Sequence, residues 1–305
     1  MPFNSPRSSR RRWRWFLGAG VLVLLLLPFG CSMLGPAFEP AIDTPEMRAR
    51  ELSSRFVESG SGRVHFVVAG RREPNAPRVL FVHGSPGTWD AWQRFLEDPE
   101  LGAAARLIAL DRPGFGGSER GAAEPSLVRQ AAALAAVLER DALPGELPAR
   151  RAIIVGHSLG GPIAVRLAID RPDLVAALVL VAPSIDPALE RRRWYNIAGA
   201  TRVVQWFLPI DWTISNRELW PLESELRAML PRWPEIRCPA IVVQGLDDDL
   251  VPAANALFAE RQLSRGGVRV DRYSDAGHFL LWQRPETVRQ PVLELLARPG
   301  IADAD

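Results

Sequence analysis

The residues with the clearest chemical potential lie in the segment Gly156-His157-Ser158-Leu159-Gly160. The preceding residues, 152–155, are apolar and rich in Ile, which is typical of a short strand buried on both faces, and residues 162–170 read as a helix. A serine flanked by glycines at such a junction is typical of a nucleophile elbow, a tight turn that strains the serine and exposes its oxygen. The alternative is an ordinary glycine-rich turn, but the position between strand and helix favours Ser158 as a nucleophile.

A serine hydroxyl is a weak nucleophile at neutral pH and needs a base within hydrogen-bond reach. Four histidines are present. His157 is expected to point away from Ser158, whereas His83 and His65 lie at a strand end and in a strand, where structural roles are usual. His278 follows the last predicted strand, so it comes to the carboxyl edge of the sheet, as Ser158 does. We therefore predict His278 as the general base.

The base needs a carboxylate that fixes its tautomer and stabilises the imidazolium. The strand before the last one ends in three consecutive aspartates, Asp247, Asp248 and Asp249, which cannot all point at one imidazole. Asp186, after the preceding strand, is a further candidate. The residues alone leave this choice open.

A tetrahedral intermediate carries an oxyanion that requires two preorganised donors. The backbone N–H of Leu159, directly after the proposed nucleophile, is one expected donor. The second should come from the loop His83-Gly84-Ser85-Pro86. Because Pro86 has no N–H, we assign this donor to the backbone of Ser85.

Strand-like and helix-like segments alternate over most of the chain, which predicts an α/β fold with a mostly parallel central sheet covered by helices on both faces. The predicted strands span residues 54–58, 64–68, 78–82, 107–110, 152–155, 176–181, 240–243 and 268–273. The main predicted helices span residues 89–96, 126–140, 162–170 and 285–297.

The alternation is interrupted between residues 184 and 236, which hold no clear strand. We interpret this segment as a helical cap inserted into the core, which then consists of residues 51–183 and 237–305. The cap contains five tryptophans, and packing inside the cap is the simplest role for any one of them. As a group above a nucleophile, some should line an apolar substrate pocket, with Trp194, Trp206 and Trp212 as the candidates.

Five motifs taken together resemble the α/β-hydrolase superfamily, in its esterase and lipase-like branch. They are His83-Gly84, Asp111-Arg112-Pro113-Gly114-Phe115-Gly116-Gly117-Ser118, Gly156-His157-Ser158-Leu159-Gly160-Gly161, the segment 245–252 and Gly277-His278-Phe279. In that family the acid lies three residues after a glycine and four before a proline, so the resemblance selects Asp248. It implies an α/β-hydrolase fold, a Ser158–Asp248–His278 triad and hydrolysis without a cofactor or a metal. It says little about the substrate.

The N-terminal 35 residues have the layout of a secretory signal or membrane anchor, with a basic start and an apolar run from Trp15 to Phe29. Lipidation at Cys31, cleavage after Ser32 and retention as a spanning segment remain alternatives. We expect retention at the membrane, with the catalytic domain outside the cytoplasm of a bacterium, in its periplasm or envelope. Prolines at 36, 40 and 45 indicate a linker over residues 36–50 without a regular element.

Charge argues against a nucleic-acid partner. The net charge of the whole chain is +2. Five arginines precede any acidic residue, namely Arg7, Arg10, Arg11, Arg12 and Arg14. Without their charge the rest of the chain has a net charge of −3, which gives no reason to expect binding to nucleic acid. The two cysteines, Cys31 and Cys238, form no metal-binding pattern.

Three functions compete. The first is hydrolysis of small carboxylic esters, the second an aminopeptidase of the proline-iminopeptidase kind, in which Glu223 and Glu225 of the cap would hold a substrate ammonium. The third is a catalytically inactive binding protein on the same fold. Haloalkane dehalogenases and epoxide hydrolases have an aspartate at the elbow, and Ser158 therefore excludes both. The sequence makes no prediction of the oligomeric state.

Overall fold

The computed structural model describes residues 42–119, 121–141 and 151–301. The predicted membrane anchor at 1–35, including Cys31, and the first linker residues, 36–41, lie outside the described residues. Among the helices in the described part of the chain, none is both long and apolar enough to cross a membrane.

The central feature is an eight-stranded sheet in the order β1-β2-β4-β3-β5-β6-β7-β8. β1 pairs antiparallel with β2, and β2 pairs antiparallel with β4, whereas all other neighbours are parallel. The strands are β1 Ser53–Ser59, β2 Gly62–Gly70, β3 Arg78–Val82, β4 Arg106–Leu110, β5 Ala152–His157, β6 Val175–Val181, β7 Ala240–Gly245 and β8 Val268–Tyr273. The predicted mostly parallel sheet is confirmed.

Helices cover the sheet on both sides. The α-helices are α1 Pro45–Ala49, α2 Gln93–Leu96, α3 Pro99–Ala104, α4 Leu127–Arg140, α5 Gly160–Asp170, α6 Trp194–Gly199, α7 Arg202–Gln205, α8 Ile210–Leu219, α9 Leu222–Met229, α10 Ala254–Gln262, α11 Leu280–Gln283 and α12 Glu286–Leu296. Residues 184–236 contain four of these, α6 to α9, and a 3-10 segment at Leu230–Glu235, and no strand.

The core lies in two layers because successive strand residues point to opposite faces. Ile154 of β5 packs in the layer that contains Leu134 of α4, whereas its neighbour Val155 packs in the layer that contains Val292 of α12. Burial on both faces explains why the central strands read as continuous apolar runs.

One local expectation was wrong, and a second was right only in part. Residues 36–50 were predicted to hold no regular element, yet Pro45 begins α1, since a proline at the first helical position loses no helical hydrogen bond. The predicted helix over 89–96 is a 3-10 segment, Trp89–Trp92, followed by the short α2.

Candidate active site

The turn between β5 and α5 has the geometry of a nucleophile elbow. Ser158 has a φ of 53°, in the left-handed region that non-glycine residues rarely adopt. A Cβ added to Gly156 would lie 2.4 Å from the carbonyl oxygen of Gly160, so the turn requires glycine there. The Ser158 N–H donates to the Val181 carbonyl at 2.9 Å, which ties the strained turn to the neighbouring strand β6.

The structure brings Asp248 and His278 together from loops that follow β7 and β8. The Nδ1 atom of His278 lies 2.8 Å from Oδ2 of Asp248, and both residues are buried. The other carboxylate oxygen of Asp248 accepts hydrogen bonds from the backbone N–H groups of Leu250 and Val251, at 2.9 and 2.7 Å. These bonds hold the carboxylate towards the imidazole, whose Nδ1 therefore carries the proton and whose Nε2 is left as the basic atom.

The other candidate acids face elsewhere. Asp247 and Asp249 are exposed, although they adjoin Asp248 in the chain. The Asp186 carboxylate accepts a hydrogen bond from the backbone of Ala188 at 2.9 Å. The loop geometry therefore distinguishes one aspartate from its neighbours.

His157 supports His278 from within the core. Its Nε2 lies 3.1 Å from the carbonyl oxygen of His278, and the two rings lie 4.8 Å apart between centroids. Burial and, next, the neighbouring charge of His278 lower the pKa of His157 to about 3. His157 is therefore neutral at ordinary pH, and its Nε2–H donates to the carbonyl of His278.

The loop of residues 83–85, predicted to supply an oxyanion donor, lies against the elbow. A Cβ added to Gly84 would come within 3.0 Å of the Ser158 Cβ, so glycine permits this close approach. His83 fixes the position of the loop. Its Nδ1 lies 2.7 Å from the Gly84 carbonyl oxygen, and its Nε2 accepts a hydrogen bond from the backbone N–H of Arg112 at 2.9 Å. Burial lowers the pKa of His83 well below its ordinary value, so the ring is neutral.

A buried carboxylate of the cap holds the same loop. Glu218, on α8, accepts a hydrogen bond from the Ser85 hydroxyl at 2.8 Å and two from the Arg112 guanidinium, at 2.9 and 3.1 Å. Gln130 of α4 donates to it at 2.9 Å, while Arg112 also donates to the carbonyls of His83 and Gly84. Burial raises the pKa of Glu218, and the Arg112 charge opposes this shift. The cap, the core and the loop of residues 83–85 thus share one polar cluster.

Glu218→Ala should reduce the free energy of unfolding by about 3–5 kcal/mol, because it leaves the buried Arg112 without its carboxylate partner. The matched control is Glu223→Ala, which removes an exposed ion pair with Arg227 and should cost about 0–1 kcal/mol. Urea unfolding of both variants at neutral pH measures the difference. Equal losses in the two variants would show that the buried cluster does not stabilise the fold.

The expected tryptophan pocket requires a correction. Trp194 and Trp206 are 79% and 87% exposed, and Trp212 is also exposed. Trp194 lies on α6, Trp206 directly follows α7 and Trp212 lies on α8, and all three side chains face solvent instead of being enclosed in a pocket. The aromatic residue next to the predicted base is Phe279, whose ring centroid lies 5.5 Å from that of His278 and whose surface is half exposed.

Sequence reasoning missed Glu218 and gave Arg112 no role, although Arg112 lies in one of the motifs. The two residues are 106 positions apart. The available signal was a charged residue inside a motif at a buried strand end, which needs a partner. Nothing in the sequence of α8 singles out Glu218 as that partner.

Comparison with known proteins identifies the family of the fold. Residues 79–290 match the model of the alpha/beta hydrolase family. Lipase LipV of Mycobacterium tuberculosis is 32% identical over 193 residues, which cover 63% of this chain and 64% of that protein. The dihydrolipoyllysine-residue acetyltransferase component of the acetoin cleaving system of Cupriavidus necator is 33% identical over 147 residues, 48% of this chain and 36% of that protein. The chain thus spans about one to two thirds of the length of these relatives.

A solved structure agrees with the fold. An esterase from Exiguobacterium antarcticum superposes with a TM-score of 0.62 at 17% identity, over 81% of this chain and 100% of that one.

Proposed function

The chain belongs to the alpha/beta hydrolase family, and we propose that within it the protein is a serine hydrolase that cleaves carboxylic esters through an acyl-enzyme on Ser158. The observation that carries the proposal is the buried pair Asp248–His278 beside an elbow whose serine has a positive φ. Relatives and structural neighbours that include a lipase and an esterase support the same class of reaction.

The proposed reaction uses the groups in a fixed order. Oγ of Ser158 attacks the carbonyl carbon of the ester while Nε2 of His278 takes the hydroxyl proton, and Asp248 stabilises the imidazolium that forms. The oxyanion is held by the N–H groups of Leu159 and Ser85. His278 then protonates the leaving alcohol, and in the second half it activates a water that releases the acid from Ser158.

The aminopeptidase alternative receives no support from the contacts of its two carboxylates. Glu223 pairs with Arg227 at 2.9 Å on the surface. Glu225 accepts a hydrogen bond from the backbone N–H of Leu127 at 2.9 Å and so holds the start of α4. Both carboxylates thus have partners within the protein, and no specific observation favours an inactive binding protein.

We further propose that apolar acyl or alcohol groups are preferred over charged ones. In place of the cap tryptophans, this proposal rests on Phe279, an aromatic surface in contact with the ring of the proposed base. The competing feature is the charge run Glu190-Arg191-Arg192-Arg193, which would favour an anionic group. In this run, Arg192 stacks over Trp220 and Arg193 donates to the carbonyls of Asp249 and Leu250, so both guanidinium groups are held on the cap and keep their charge, and a comparison of neutral with anionic esters decides between the two features.

A series of p-nitrophenyl esters of graded chain length, with neutral and anionic members, tests this preference. Each added methylene should raise kcat/KM about fourfold until the site is filled, from about 0.8 kcal/mol of burial per methylene. Phe279→Ala should flatten this dependence, whereas the control Trp194→Ala should leave it unchanged. Higher kcat/KM on the anionic esters would contradict the apolar preference. If Trp194→Ala flattened the dependence on chain length and Phe279→Ala did not, the apolar group would bind to the cap tryptophans and not to Phe279.

For its location, we propose that residues 1–35 retain the protein at a membrane with the hydrolase domain outside the cytoplasm. The support is the sequence pattern of five arginines followed by an apolar run.

A further inference from the structure

The cap carries an apolar surface that the proposed reaction does not use. We call it the cap face and define it as the exposed side chains of residues 191–217, on α6, α7, α8 and the segments that precede and connect them. It includes, besides Trp194 and Trp206, Val203 and Phe207, which are 71% and 70% exposed. Monomeric soluble proteins rarely expose adjoining large apolar side chains, so a surface of this kind indicates an interaction.

The cap face is also cationic. Residues 191–217 contain five exposed arginines: Arg191, Arg192, Arg193, Arg202 and Arg217. Asp211 is the only carboxylate in this segment, and it is buried. The contacts of Arg192 and Arg217 are to an aromatic ring, to a carbonyl oxygen and to the side-chain oxygen of Gln205, which do not neutralise the positive charge. Arg193 donates to carbonyl oxygens and also lies near the carboxylate of Glu190, so it contributes less to the positive charge of the cap face than the other four arginines.

We propose that the cap face docks on the surface of an anionic lipid bilayer. Tryptophan and phenylalanine insert at the boundary between headgroups and acyl chains, and arginines pair with anionic headgroups around them. One surface therefore supplies both the apolar burial and the electrostatic attraction that interfacial binding requires.

Charge and apolar character together favour a bilayer over other occupants. A two-fold dimer through the cap face would place the five arginines of one copy opposite those of the other, because such an interface pairs a patch with itself. A nucleic acid would match the charge, but phosphates gain nothing from aliphatic side chains such as Val203 and Ile197. A membrane anchor at residues 1–35 would further raise the local concentration of the cap face at the bilayer.

Hydroxyl-radical footprinting of the full chain in lipid vesicles tests the proposal. The vesicles are phosphatidylcholine alone, or phosphatidylcholine with phosphatidylglycerol, and the chain is reconstituted into both. Oxidation of Trp206 and Phe207 should fall severalfold only with phosphatidylglycerol. Leu257 and Val128, exposed apolar residues on α10 and α4, are internal controls whose oxidation should be the same in both mixtures.

Arg202→Glu should weaken the phosphatidylglycerol-dependent protection by about fivefold or more, because each arginine near an anionic surface contributes about a factor of five. The matched control is Arg261→Glu on α10, which should leave the protection intact. Equal protection in both lipid mixtures would mean that the leader or a second copy covers the cap face, and would overturn the proposal. Absence of protection in both mixtures would overturn it too. The readout does not involve ester cleavage, so it stands apart from the proposed reaction.

Discussion

Ser158→Ala should lower kcat/KM for p-nitrophenyl esters by at least ~10³-fold while the protein remains folded. The side chain of Ser158 is the proposed nucleophile, and alanine lacks the oxygen that forms the acyl-enzyme. The loop of residues 83–85, the elbow and the Asp248–His278 pair otherwise keep the same atoms in the variant, so the loss comes from the missing hydroxyl.

A fluorophosphonate probe gives a second readout that does not depend on the choice of ester. It should label the wild type and not Ser158→Ala. Ser126→Ala is a suitable control, since Ser126 precedes α4 and its side chain makes no capping hydrogen bond. Activity or labelling that persists in pure Ser158→Ala would refute the assignment of the nucleophile, and an unlabelled, inactive wild type would favour the inactive binding protein.

The fold could be predicted because its central strands have an unambiguous pattern. Strands β3, β5 and β6 are buried along their whole length, so apolar residues dominate them, and their short runs are bounded by glycine or polar turns. Parallel strands deliver their following loops to one edge of the sheet. This rule brings Asp248 and His278 together although 30 positions separate them.

The role of the cap residues could not be predicted in the same way. Tryptophan composition is compatible with a packed core, a pocket wall or an open surface, and the packing of each cap element against its neighbours determines which of these occurs. Trp233 is completely buried, whereas Trp206 is exposed, yet both lie in the same insertion. Likewise, Glu218 is a buried partner of Arg112 because α8 packs beside the loop that contains Ser85, a tertiary contact without a sequence signal.

Asp248→Asn should lower kcat/KM by about 10⁴-fold, because an asparagine amide directed at the imidazole donates a hydrogen bond where the carboxylate accepts one. Nδ1 of His278 would then accept, Nε2 would carry the proton, and the ring would no longer take the proton of Ser158. The side-chain oxygen that the substitution leaves in place still accepts from the N–H groups of Leu250 and Val251, so the loop should keep its conformation.

The neighbouring aspartates provide matched controls in the same loop. Asp247→Asn and Asp249→Asn change exposed carboxylates, so each should alter kcat/KM by less than about tenfold. Steady-state kinetics on one ester, with thermal unfolding to verify folding, compares the three variants. A large loss in Asp247→Asn or Asp249→Asn, with Asp248→Asn active, would mean that the working enzyme uses a different carboxylate from the one that contacts His278 in this structure.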